Sequence, residues 1–361
     1  MMPQKYRILH TSDWHLGAPV DWKISEFKEG LWINMFRQHR KQAVELIIDQ
    51  AVRNKVRCIL VAGDVADVYG YTEKLKDVDT FLRSKVLTPL YDNKIRLLFA
   101  LGTHDIKSPE STQLFLGLKK DFDNTVELFL PKHSKEQQLL TDILGSEKVE
   151  TLFSDNTLKT TATYDGCAIC CDDNPPEGKW IEFRHEGNES LHYLDNSPIY
   201  RAFGHKHAMT HGQNGCYYAG IPFARSSASD DWYTDAGPRY CLLFEIGGDV
   251  TPIRLNVPEV AVLVKTLGRD EWRIFYERDF NTETWIDKPD AYGGKIGSVL
   301  DKLRSEKPSI SFLTVVIKKQ EEPVCSDAVF KDIVGFARTK RRVVIGSRRG
   351  IITVMLTDLR R

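Results

Sequence analysis

The chain has 361 residues, of which 42% are hydrophobic and 28% charged, enough apolar material for a sizeable core and too much for a disordered polymer. Its 50 Lys and Arg balance 50 Asp and Glu, so the formal net charge is zero and a uniformly basic binding module is excluded. The balance hides an asymmetry: residues 301–361 carry 14 basic and 7 acidic side chains, a net of +7, and residues 1–300 carry a net of −7.

At about 150 residues per domain the length predicts two domains, one large and one small. No run approaches ~20 apolar residues, and the N-terminus shows neither an apolar leader nor a small-residue cleavage site, so the expectation is a cytoplasmic protein with no membrane span. The cysteines are Cys58, Cys167, Cys170, Cys171, Cys216, Cys241 and Cys325. Their odd number and apolar surroundings predict reduced, buried thiols. Cys167, Cys170 and Cys171 lack a second Cys/His pair at zinc spacing, which makes them core residues.

In chain order, 5–11 reads as a strand, 25–53 as a helix with apolar residues at helical spacing, and 57–62 as a buried strand. A helix over 72–87 and a strand over 95–101 follow. This strand–helix alternation is the signature of an α/β layer. Short strand-like runs at 158–172, 179–185, 199–204, 216–219 and 239–255 predict a second, more antiparallel sheet, giving a mixed pair of sheets flanked by helices. Val257-Pro258 is the expected boundary. Strands near 260–267, 272–276, 310–318, 343–345 and 351–356 and helices near 293–305 and 327–338 then predict a small α+β domain.

Polar residues gather where the apolar runs end. The first run ends in Asp13-Trp14-His15, the second in Gly63-Asp64-Val65-Ala66-Asp67, and the third in Gly102-Thr103-His104-Asp105. Two later runs end in His185-Glu186 and in Gly204-His205-Lys206-His207. Ligands of α/β sheets collect outside the carboxyl ends of strands, so these groups would share one rim. Asp13 with His15, and His205 with His207, stand two apart and can face one ion from extended chain. Imidazole with carboxylate suits Mn, Fe or Zn. A carboxylate from another strand, such as Asp64, could bridge two ions, the arrangement that stabilises in-line displacement at phosphorus.

The ordered motifs D-x-H, G-D-x-x-D, G-x-H-D, H and G-H-x-H resemble the calcineurin-like metallophosphoesterase superfamily. Within it, His10-Thr11-Ser12-Asp13-Trp14-His15-Leu16-Gly17, Gly204-His205-Lys206-His207 and the following Tyr217-Tyr218-Ala219-Gly220-Ile221-Pro222 are similar to the SbcD-type DNA repair nuclease branch. The resemblance covers roughly residues 5–256. It implies a four-layer αββα sandwich over 1–257 and a smaller C-terminal α+β cap over 258–361. It also implies a nuclease that hydrolyses phosphodiesters with two divalent ions, Mn²⁺ by preference. Asp13, His15 and His207 would hold the first ion, Asp64 would bridge, and His185 and His205 would hold the second. His104 would protonate the leaving oxygen or stabilise the transition state, and Asp67 would orient it.

Two positions depart from the pattern. Thr103 stands where the family has an Asn whose amide oxygen binds the second ion; its hydroxyl sits one bond closer to the backbone, so a weakened second site is expected. His185 precedes His205 by 20 residues, a short spacing for the family, with His192 and His211 as alternatives. Of the rest, His10 reads as a core histidine, His39 and His133 as solvated, Trp14 as packed beneath the metal loop, Tyr217 and Tyr218 as strand residues, and Asp105 as a loop-fixing acceptor or turn carboxylate. Arg341, Arg342, Arg348 and Arg349 form a basic cluster fit for phosphate-backbone contact. By the same resemblance the partners would be DNA ends, a second copy in a homodimer and an ABC-type ATPase of the SbcC kind. The rival readings are a phosphoesterase acting on nucleotides or phosphoproteins, and a weakened DNA-binding scaffold.

Overall fold

The structure, a computed structural model, describes residues 6–18, 29–68, 72–174, 176–186, 197–223, 236–266, 271–275, 291–293, 296–306, 310–319, 322–323, 344–348 and 351–355. Residue contacts divide the chain into two compact units. The first is Met1–Pro19, Arg40–Pro222 and Tyr240–Leu255; the second is Val20–His39, Phe223–Arg239 and Asn256–Arg361.

The chain opens with β1 (Arg7–Thr11), α1 (Glu29–Arg53) and β2 (Cys58–Ala62). Next, α2 (Thr72–Phe81) runs through a π-helical stretch, Leu82–Leu87, into α3 (Thr88–Asp92). The predicted helix over 72–87 is therefore five residues longer. After β3 (Arg96–Ala100) come α4 (Pro109–Asp121), β4 (Val126–Phe129), α5 (Lys135–Leu144), α6 (Ser146–Ser154) and β5 (Leu158–Lys159). Strands β1 to β5 pair in parallel and in order. Parallel strands are covered on both faces, which is why they read as unbroken apolar runs; all five residues of β2 are buried.

The second sheet contains β6 (Thr161–Tyr164), β7 (Cys167–Cys170), β8 (Trp180–Arg184), β9 (Tyr200–Phe203), β10 (Thr210–His211) and β11 (Cys216–Tyr218), in the spatial order β10-β11-β9-β8-β7-β6. The single run predicted over 158–172 is split by a two-residue hairpin, where Asp165 and Gly166 both take positive φ (47° and 77°), as a type I′ turn requires. The expectation of a more antiparallel second sheet holds only at its two ends, where β6 pairs with β7 and β10 with β11; β7, β8, β9 and β11 are mutually parallel. β12 (Gly237–Glu245) then returns to pair antiparallel with β1. Ile8, Leu60, Leu98 and Phe129 of the first sheet pack against Ile169, Ile181, Phe183 and Tyr200 of the second, forming the core between two mixed sheets.

β13 (Val250–Thr266) carries the chain into the second unit and passes through Pro258 without a break; just beyond it the pairing with the neighbouring strand shifts register, Glu259 facing Ile310 and Val260 facing Phe312. That unit adds β14 (Glu271–Phe275), β15 (Ala291–Gly293), α7 (Ile296–Glu306), β16 (Ile310–Lys319), β17 (Glu322–Pro323), β18 (Val344–Arg348) and β19 (Ile351–Met355). Its strands lie in the order β18-β19-β16-β13-β14-β15, with β17 on β16. The helix predicted over 327–338, together with Arg341, Arg342 and Arg349, lies outside the described residues; Arg348 ends β18. Among the described residues no helix is long and apolar enough to cross a membrane.

Six of the seven cysteines are described, and all six are free and buried. Burial pushes the Cys58 and Cys241 thiols up to about 12, so they are packing groups rather than nucleophiles. His10 is fully buried in β1, with Nδ1 2.8 Å from the Tyr200 hydroxyl. Burial lowers its pKa to about 3. The unfolded chain therefore binds a proton below pH ~6.5 that the folded chain refuses, and stability falls as pH drops through the window from about 6.5 to 3. Between pH 7.5 and 5.5 this one group is expected to remove about 1.4 kcal/mol. Urea unfolding of wild type and His10→Gln at both pH values checks it: the variant, less stable overall, should lose less on acidification.

Candidate metal centre

The loops beyond β1 and β2 are zipped together by their own backbones. Asp13 N–H donates to Gly63 O (2.9 Å), His15 N–H to Asp64 O (2.9 Å), and Asp67 N–H to Leu16 O (2.8 Å). Asp13 (φ 52°), His15 (φ 45°), Asp64 (φ 52°) and His205 (φ 69°) all hold left-handed backbone conformations. That region is costly for residues with a Cβ and tends to be kept where a site requires it. Carboxylates reinforce the arrangement: Asp64 Oδ1 accepts from His104 N–H (2.9 Å), and Asp13 Oδ1 accepts from His205 N–H (3.1 Å). Asp105, fully buried, accepts from Ala66 N–H (2.9 Å) and Gly102 N–H (3.0 Å), clamping the second loop to the third. It is a loop-fixing acceptor.

Among the described residues, four overlapping groups of donor atoms could hold divalent ions. They are Asp13/His15/His207, Asp13/Asp64/His185, His15/Asp64/His104 and His185/Glu186/His205, with the donor atoms of each group within 4.8 Å of one another. Asp64 Oδ2 lies 3.3 Å from His185 Nε2 and 3.9 Å from His104 Nε2. The His15 ring stands 5.2 Å from that of His104 and 5.3 Å from that of His207. His104 Nδ1 is 3.2 Å from Asp67 Oδ1.

The donor chemistry fits a metal. His185 Nδ1 lies 3.0 Å from Ala62 O, which can only accept, so Nδ1 carries the hydrogen and the neutral ring turns the Nε2 lone pair towards Asp64. Two facing lone pairs 3.3 Å apart need a cation, either a proton or a metal ion; bonds of ~2.1 Å to one ion put two ligands about 3.0–3.5 Å apart. With protons alone, burial works to lower His185, but its hydrogen bond and charge contact with Asp64 win and raise it. The same contacts hold Asp64 far below the usual carboxylate range against its burial. Burial pushes Asp13 up, and its buried Oδ2 has no hydrogen-bond partner among the described residues. An ionised Asp13 in that setting calls for a positive ion.

The sequence agrees with this chemistry at the family level. The model of the calcineurin-like phosphoesterase family matches residues 6–211, more than half of the chain. The chain belongs to that family. It is accordingly a metal-dependent phosphoester hydrolase, and the family's pair of divalent ions has candidate ligands here in the fused donor groups. No curated protein matches. Among solved structures, the protein TT1561 of Thermus thermophilus is similar at 8% identity and a TM-score of 0.36, over 70% of this chain and 99% of that one. A dimetal phosphatase from Danio rerio is similar at 7% identity and a TM-score of 0.26, over the same 70% and 99%.

Asp13, His15, Asp64, His104, His185, His205 and His207 thus come together in the structure of this phosphoesterase, with Asp67 against His104. Thr103 sits in the turn between Gly102 and His104, half-buried. Of the alternatives to His185, His211 instead stacks on Tyr217 (4.3 Å between ring centroids), and His192 lies outside the described residues. Trp14 is buried, its Nε1–H donating to Thr11 Oγ1 (3.0 Å). His39, expected in solvent, is half-buried and packs on Phe223 (5.4 Å). One supporting residue had escaped the reading of the sequence. Arg40 of α1 is buried and its Nη1–H donates to Ala18 O (2.9 Å), bracing the loop that carries Asp13 and His15. Its spacing from Ala43, Val44 and Ile47 placed a charge on the apolar face of α1, which was the available signal.

Proposed function

We propose that this phosphoesterase is an SbcD-type DNA nuclease subunit that hydrolyses phosphodiester bonds with two divalent ions, Mn²⁺ by preference. The observation that carries the reading is the set of overlapping donor groups, with Asp67 held against Nδ1 of His104 beside them. The segment behind the nuclease resemblance also packs at this rim. Ile221 N–H donates to His207 O (3.0 Å), and Ser12 Oγ–H donates to Gly220 O (3.4 Å).

In this reading Asp13, His15 and His207 hold the first ion, His185 and His205 the second, and Asp64 bridges. When bound, the ions supply Lewis acidity for water and for the phosphoryl oxygens. His104 presents Nε2 to the leaving oxygen and gives it a proton. Asp67 faces Nδ1 and fixes the ring, a positioning role. Arg341, Arg342, Arg348 and Arg349 would contact the DNA backbone, and a second copy and an SbcC-like ATPase would complete the assembly. Imidazole–carboxylate ligation favours Mn, Fe or Zn over Ca or Mg.

Purified full-length protein with Mn²⁺ should cut linear or nicked DNA faster than it releases phosphate from nucleotides or p-nitrophenyl phosphate. Monoester hydrolysis without DNA cutting would select the nucleotide or phosphoprotein reading. DNA binding with no cutting in any of these metals would select the scaffold.

A further inference from the structure

In the two-ion reading the second ion would be short of negative charge: the first would have Asp13, whereas the second would have the imidazoles of His185 and His205 and a carboxylate shared through Asp64. Thr103 offers only a neutral hydroxyl. A carboxylate nevertheless stands at the right place. His185 and Glu186 are consecutive at the end of β8; the first is buried and the second lies at the rim, 40% exposed. Glu186 Oε1 lies 3.8 Å from His205 Nδ1, too far for a hydrogen bond and close enough for one ion to join both. His185, Glu186 and His205 bring their donor atoms within 4.8 Å of one another. The orientation of His205 is not accidental: its N–H is tied to Asp13 and its backbone is held at φ 69°.

We infer that Glu186 is a ligand of the second ion, giving it a carboxylate of its own beside His185, His205 and the shared Asp64. The inference rests on the two-ion reading above. The extra charge raises affinity for a divalent ion and does the work that Thr103 cannot. It also leaves the second ion at the exposed edge of the centre, where His205 is 62% exposed, so that this ion exchanges more readily than the first.

The test is a Mn²⁺ titration of metal-free, full-length protein, followed by the electron paramagnetic resonance of unbound Mn²⁺. Wild type, Glu186→Gln, Thr103→Val and Asp64→Asn are compared, with circular dichroism to confirm the fold. Wild type should bind two ions. Glu186→Gln should keep the tighter ion unchanged and weaken the other tenfold or more, Thr103→Val should keep both, and Asp64→Asn should weaken both. Unchanged binding of both ions in Glu186→Gln overturns the inference, as does selective loss of the second ion in Thr103→Val. Fewer than two ions in wild type overturns the two-ion reading itself.

Discussion

His104→Ala is expected to lower kcat for DNA cleavage by about 10²–10⁴-fold while Mn²⁺ content stays at the wild-type level. Asp67 lies 3.2 Å from Nδ1 of this imidazole, closer than the 3.9 Å at which its other oxygen stands from Nδ1 of His15. That contact favours the orientation in which Nε2 faces the ion-binding groups, 3.9 Å from Asp64 Oδ2. A sugar oxygen leaves as a strongly basic alkoxide and needs a proton, whereas p-nitrophenolate barely does. The loss should therefore be largest on DNA and much smaller on bis(p-nitrophenyl) phosphate. Equal losses on both would make His104 an electrostatic stabiliser instead of a proton donor. Loss of bound Mn²⁺ would make it a ligand, which its place in the His15/Asp64/His104 group allows. Asp67→Asn should act in the same direction but more weakly, since it alters only the hold on the ring.

The centre was legible in the sequence because its chemistry is local. Each motif follows an apolar run, and parallel strands require every such run to end on the same side of a sheet. Once β1, β2 and β3 pair in order, the loops after Thr11, Ala62 and Ala100 have no other place to meet. His185 was harder, since a single histidine after a strand has no partner in its own motif. What identifies it is the parallel register of β8 with β9, which sets Arg184 beside Phe203 and so His185 near His205. Glu186 was named only as the neighbour of that histidine. Its closeness to His205 depends on two loops meeting, which no spacing rule expresses.

The fold was less uniformly legible. The more antiparallel reading of the second sheet holds at its ends and misses its parallel centre, because short strands separated by turn residues look alike whether they return by hairpins or by crossovers. The Asp165-Gly166 hairpin had a clear signal, since that dipeptide between two strand-like runs suits a two-residue turn. Helices α4 and α5 likewise carry local markers. Ser108 caps the first, with Pro109 opening it, and Ser134 caps the second by accepting from Gln137 N–H. The π-helical stretch in front of α3 has its marker just beyond it: Pro89 has no N–H to give the carbonyl of Lys85 and its ring crowds that carbonyl, which widens the turn.

Gly204→Ala should be among the most damaging single changes, because the methyl group has nowhere to go. A Cβ at this position would lie 1.8 Å from the backbone oxygen of Ala62, at the end of β2. Neither side can yield cheaply. Ala62 O is also the acceptor for His185 Nδ1, and Gly204 N–H donates to His185 O (3.1 Å) just beyond β8. Parting β9 from β2 therefore moves His185 and His205 together, and with them the site proposed for the second ion. Gly63 provides the comparison: an alanine there would meet the His185 ring at 2.2 Å, and its φ of 83° adds backbone strain. The expected cost for Gly204→Ala is about 3 kcal/mol of stability, at the upper end for an overpacked core. The same variant should lose the second ion before the first, even at temperatures where it remains folded. Urea unfolding and bound Mn²⁺ measured on one preparation decide the matter. A Gly204→Ala protein with wild-type stability would mean that β2 and β9 do not approach this closely. One that is destabilised yet binds both ions normally would separate the packing of these strand ends from the geometry of the centre.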